Sequence, residues 1–118
     1  MATVDLTVDE KVDDFVRRLR SAVTVDIVIL FGSHAQGVAR QWSDIDIAVI
    51  SPQFEGLSQW ERQDIIARAT AGRPYRLAPI GYAPSEYHSP SPHSFLREIK
   101  RTGRVVYEAR AAGRSTRE

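Results

Sequence analysis

Two apolar, β-branched runs, Val25–Phe31 and Ile45–Ile50, flank a short link that opens with Gly32-Ser33. Each run reads as a buried strand. The link has room for one helical turn, not for the helix of an ordinary parallel crossover. The two strands are therefore expected side by side and antiparallel. Gly32 ends the first strand. Ser33–Gly37 reads as the first turn of a short helix, and Val38–Ser43 as a loop. The second strand carries Asp44-Ile45-Asp46-Ile47, an alternation that places both carboxylates on one sheet face and both isoleucines on the other.

The remaining elements follow from caps and periodicity. Thr7-Val8-Asp9-Glu10 is a capping box, and Val12, Phe15, Val16 and Leu19 then recur at helical spacing, which predicts a helix over Val8–Ser21. Ser58-Gln59-Trp60-Glu61 is a second such box. It leads into a helix over Gln59–Ala71 with Trp60, Ile65, Ile66 and Ala69 as its apolar side and Gly72 just past its end. Arg76–Tyr82 reads as a third strand, and Pro79 inside it argues for an edge or a bulge. Ser89–Pro92 is a loop, Ser94–Thr102 a helix and Val105–Tyr107 a last strand. The fold class is α/β (α+β): a mixed β-sheet flanked by helices. Residues 1–108 are expected to form a single domain and 109–118 a flexible tail.

Composition narrows the function classes. The chain has 118 residues, 42% hydrophobic and 26% charged, in the range of a globular domain. No apolar run is long enough to span a bilayer. The acidic start lacks an apolar signal core, which points to a cytoplasmic protein. The absence of cysteine excludes disulfides and thiolate metal sites. A formal net charge of +1 gives no general attraction to nucleic acid.

Gly32-Ser33 and Asp44-x-Asp46 are the residues that carry chemistry. A glycine turn after a buried strand aims backbone amides outward, where they can hold phosphate, and the Ser33 hydroxyl can add a hydrogen bond. Alone, Gly-Ser is far more often a plain turn. Two carboxylates on one strand face repel unless a cation lies between them, and hard oxygen ligands suit Mg²⁺ or Mn²⁺. Alone, the pair reads equally as metal ligands or as two unrelated solvated aspartates.

Together, Gly32-Ser33, ten intervening residues and Asp44-Ile45-Asp46 resemble the polymerase-β-like nucleotidyltransferases. The chain is most similar to the minimal, MntA-like antitoxin group, over about Val25–Val106. Ala35, Gly37 and Ser43 match the small residues usual in that group. The resemblance implies a polymerase-β-like nucleotidyltransferase fold. It implies transfer of NMP from a nucleoside triphosphate, ATP first, to a hydroxyl acceptor, with a HEPN-type protein as partner. Gly32 and Ser33 would bind the β/γ end of the triphosphate, with Arg40 neutralising phosphate charge. Asp44 and Asp46 would be the catalytic metal ligands, holding Mg²⁺ (or Mn²⁺). One ion would steady the leaving pyrophosphate and a second would activate the acceptor. Long nucleic acid and membrane are not expected partners, and a homo-oligomer is compatible with the sequence.

One departure from the family pattern stands out. The family supplies a third carboxylate from a later strand, yet no Asp or Glu lies between Ile65 and Ser85. The position facing the site is expected at Ala78. Glu86 is the best substitute acid by sequence, and Glu55 a weaker one. The alternative function is accordingly a catalytically impaired nucleotide-binding or antitoxin module acting by binding a partner. His34 reads as a phosphate contact or an exposed residue. Trp42 and Trp60 read as packing residues, and Lys100, Arg101 and Arg104 as a solvated basic cluster.

Overall fold

The computed structural model describes residues 7–39, 44–71 and 76–109. Helix α1 spans Val8–Arg20, with the expected capping box at its start. The Glu10 amide donates to Thr7 Oγ1 at 3.1 Å, and the Thr7 amide to Glu10 Oε1 at 2.8 Å. Strands β1 (Ile27–Phe31) and β2 (Ile45–Ile50) follow, then a 3-10 turn at Pro52–Phe54. Helix α2 (Gln59–Thr70) starts at the second capping box, with Ser58 and Glu61 exchanging bonds of 3.1 and 2.8 Å. Strand β3 (Leu77–Tyr82), helices α3 (Pro84–His88) and α4 (Phe95–Thr102) and strand β4 (Arg104–Glu108) complete the order.

The sheet order is β3-β2-β1-β4. β1 pairs antiparallel with β2 and β4, and β2 pairs parallel with β3. The short link thus produces the antiparallel pair, and the longer connection through α2 makes the one parallel crossover. β3 is an edge strand, where Pro79 costs no ladder partner on its outer side.

The sheet is covered unequally. On one face Val28, Leu30, Ile45, Ile47 and Val49 pack with Val12, Phe15, Val16 and Leu19 of α1 and Ile66 and Ala69 of α2. On the other, Leu96 and Ile99 of α4 pack on Ile29 and Ala48. Asp44 and Asp46 alternate with Ile45 and Ile47, so they belong to this second face.

The structure departs from the sequence reading at three places. Trp60 is 87% exposed and is not part of the apolar side of α2. The buried line of that helix runs through Arg62, Ile66 and Ala69, and Trp60 lies about 200° around the axis from Arg62. The turn at residues 32–37 does not propagate into a helix. Helix α3 has no counterpart in the sequence reading, because Pro84 at its first position and Glu86 as an internal cap are weak signals over five residues. Gly72, Trp42 and the tail 110–118 lie outside the described residues.

Arg62 is a buried strut among α2, β3 and α3. Its Nε donates to Leu57 O at 3.0 Å, and its Nη1 donates to Gly81 O at 3.1 Å and Glu86 Oε1 at 2.8 Å. Replacing it leaves buried carbonyls with fewer donors. Arg62→Leu is expected to cost about 2–3 kcal/mol in urea unfolding, against under about 1 kcal/mol for Glu86→Gln, whose carboxylate is half exposed.

Candidate active site

The site begins with a steric fact at the end of β1. Gly32 has φ +76°, the left-handed region, and a Cβ built there would lie 2.2 Å from Asp46 Oδ2. Both observations demand glycine. The turn after it is one helical turn: the Gln36 amide donates to Gly32 O at 3.1 Å, and the Val38 amide to Ser33 O at 3.0 Å. The amides at the start of such a turn point along its axis, away from the turn. Ser33 and His34 are half-buried there. The structure therefore brings Gly32, Ser33, His34 and Asp46 together, in contact through the Gly32–Asp46 approach.

Register fixes the row in which Asp46 stands. Asp46 pairs with Phe31 on β1 and with Ala78 on β3. Ala78 thus occupies the neighbouring strand position beside Asp46, as expected. One step toward the strand start, Asp44 Oδ1 lies 2.9 Å from Arg76 Nε. The Ile45 amide donates to Arg76 O at 3.1 Å, which holds this part of β3 against β2. Sequence reasoning missed Arg76. Its signal was the parallel register, which sets it opposite Asp44 once Ala78 is opposite Asp46.

Glu86 and Glu55 do not complete the site. Tyr82 pairs with Ile50, four residues and roughly 13 Å along the strands from the Asp46 row, and Glu86 follows Tyr82. Glu86 Oε1 accepts the Ala83 amide at 2.7 Å and Arg62, so it caps α3 and neutralises a buried guanidinium. Glu55 accepts from the Ser85 amide and hydroxyl at 3.0 and 2.9 Å at that same far end. Both acids are engaged in structural bonds, and Glu86 is a candidate by sequence only because it follows β3 closely. Arg40 lies outside the described residues.

Burial raises the Asp46 pKa above its ordinary 3.8, and the neighbouring Asp44 charge adds to the rise, while His34 lowers it. Among the described residues no group of three His, Asp or Glu is gathered. The donor set is two carboxylates whose ionised forms oppose each other. Oxygen donors of this kind fit one hard divalent ion, and a cation there relieves the repulsion.

Two measurements check this geometry. Gly32→Ala is expected to cost about 2 kcal/mol, from left-handed strain and overlap. In an Asp46→Ala background that cost should fall by about 1 kcal/mol, a coupling read from a double-mutant cycle. The second concerns pH. The folded state favours protonated Asp46, so its contribution to stability is present below pH 3.8 and lost as pH rises through the folded pKa. In chelator at pH 7, Asp46→Asn should therefore melt higher than the unchanged protein, on the order of 2 °C, with the gain vanishing in acid.

Comparison with known proteins identifies the fold and the family. The family model for the nucleotidyltransferase domain matches residues 10–104. A Sulfolobus solfataricus protein assigned as a nucleotidyltransferase superposes with a TM-score of 0.68 at 18% identity, over 87% of this chain and 82% of that one. A toxin-antitoxin structure with AMP-PNP gives 0.53 at 22% identity, over 85% and 75%. A doubly mutated MntA-HpeT toxin-antitoxin gives 0.57 at 18% identity, over 90% and 77%. No curated protein matches the sequence. With the family model spanning most of its length and the Gly-Ser turn seated on the second aspartate, the chain belongs to the nucleotidyltransferase domain family.

Proposed function

We propose that this domain binds a nucleoside triphosphate, ATP first, together with Mg²⁺ at Asp44 and Asp46, and transfers NMP slowly to a hydroxyl of a partner protein. The observation that carries the reading is the contact of the Gly32 turn with Asp46. It supports a site in which a turn suited to phosphate lies against a carboxylate suited to a metal ion. Two structural neighbours are toxin-antitoxin structures, one of them with AMP-PNP. They support ATP as the nucleotide and a protein as the acceptor, and a HEPN-type helical toxin is the partner class to test.

In the transfer, the acceptor oxygen bonds the α-phosphorus as the bridging bond to the β-phosphorus breaks. Pyrophosphate leaves and the hydroxyl proton passes to water. The opening amides of the turn and the Ser33 hydroxyl hold the β/γ oxygens and so orient the departing group. Asp44 and Asp46 supply the negative charge that retains Mg²⁺. Bound Mg²⁺ offsets phosphate charge and polarises the P–O bonds.

Ala78 favours a second reading. The position paired with Asp46 on β3 brings a methyl group and no charge. Among the described residues the acceptor side has no carboxylate, which favours nucleotide binding over transfer and a domain that acts on its partner by binding alone.

Calorimetry with Mg-ATP, and mass spectrometry of a co-expressed helical partner, test both readings. Micromolar to millimolar binding, abolished in Asp44→Ala/Asp46→Ala, is expected. An added NMP mass on the partner supports the transferase, and binding without added mass supports the module. Ala78→Asp is expected to raise transfer at least tenfold if the missing acid limits the rate. Absence of nucleotide binding contradicts both.

A further inference from the structure

Asp46 and Ala78 on neighbouring parallel strands, with Asp44 and Arg76 just before those strands, form a two-by-two patch. Asp44 faces Arg76 across the gap and Asp46 faces Ala78. Residues two apart on a strand share a face, so all four side chains belong to the face that carries α4. Three of the four are functional groups, and the guanidinium is the one that neither the family motif nor the proposed reaction assigns.

The electrostatics of the patch leave it a role. Two carboxylates balance one divalent ion. A bound triphosphate then adds further negative charge that the aspartates cannot offset. A second divalent ion would have to share ligands already engaged, because Ala78 offers none. Arginine needs no ligands, stays charged at every relevant pH and offers a planar fork matched to phosphate oxygens. Arg76 contacts Asp44 through Nε, with its side chain 73% exposed and Asp44 46% exposed. An ion pair this exposed contributes little to stability and exchanges partners readily.

We propose that Arg76 is a nucleotide-binding residue that supplies the fixed positive charge of the acceptor side, so that the site works with one divalent ion. Its guanidinium competes with that ion for Asp44 when nucleotide is absent, and serves the phosphate oxygens when nucleotide is bound. The inference rests on the nucleotide-binding reading above, and it predicts effects of opposite sign on two ligands.

The test is Arg76→Ala, with Arg76→Lys beside it, in the full-length chain. Mn²⁺ alone, followed by electron paramagnetic resonance, should bind about threefold more tightly to Arg76→Ala, because a competing cation is gone. A non-hydrolysable ATP analogue with Mn²⁺, followed by calorimetry, should bind about tenfold more weakly, because a charge-assisted phosphate contact is gone. Arg76→Lys should recover part of the nucleotide affinity. The thermal midpoint should stay within about 1 °C, as befits an exposed ion pair. If the unchanged protein binds the analogue and Arg76→Ala binds it equally well, the inference is overturned while the nucleotide-binding reading stands. Weakening of both ligands together with a lowered midpoint also overturns it, since that marks a structural role. If the unchanged protein binds no analogue, both fail.

Discussion

The absence of a side chain at Gly32 is the constraint on which the site depends. The Asp46 carboxylate occupies the space that a Cβ would need, 2.2 Å away. That approach positions the β1 side of the candidate site. It sets the turn at residues 32–37 against β2, and it brings the opening amides of the turn and a carboxylate into one unit. The antiparallel pairing of β1 and β2 makes the approach unavoidable, since Phe31 is the strand partner of Asp46 and Gly32 is the next residue. A link long enough for a parallel crossover would have carried the turn away from that strand.

The opposite side of Asp46 has a different character. Parallel register places Ala78 beside Asp46 and Arg76 beside Asp44. The β1 side therefore carries backbone donors, β2 carries the two acids, and β3 carries a methyl group and a cation. Burial first, and the Asp44 charge second, raise the Asp46 pKa, so the ionised pair is unfavourable as it stands. Functional sites are commonly where local stability is sacrificed in this way. The stabilising work is done elsewhere, by the apolar layer under α1 and α2 and by the Arg62 strut.

Much of this was legible in the residues because the signals were local. Both capping boxes, the antiparallel strand pair and the edge position of β3 follow from spacing, turn length and Pro79. Ala78 is placed at the site by its position just before Pro79-Ile80, and the register sets it beside Asp46. What escaped was set by tertiary contacts. Trp60 looked like a core residue, but the buried line of α2 is chosen by Arg62 reaching Leu57 and Gly81. Glu86 looked like a spare catalytic acid because it follows β3 closely, yet the strand carries it away from Asp46 and toward Arg62. Arg76 went unnoticed because its partner is set by cross-strand register, which sequence periodicity does not encode.

The central claim is that the metal-and-nucleotide half of a nucleotidyltransferase site is intact while the acceptor half lacks its carboxylate. The most direct measurement is a crystal structure grown with Mn²⁺ and a non-hydrolysable ATP analogue, with the ions counted by anomalous scattering. The account predicts one Mn²⁺ on Asp44 and Asp46, triphosphate oxygens against the Gly32-Ser33 turn, and no ion beside Ala78. Two well-occupied ions bridged by the aspartates, or a nucleotide seated away from Gly32, would contradict it.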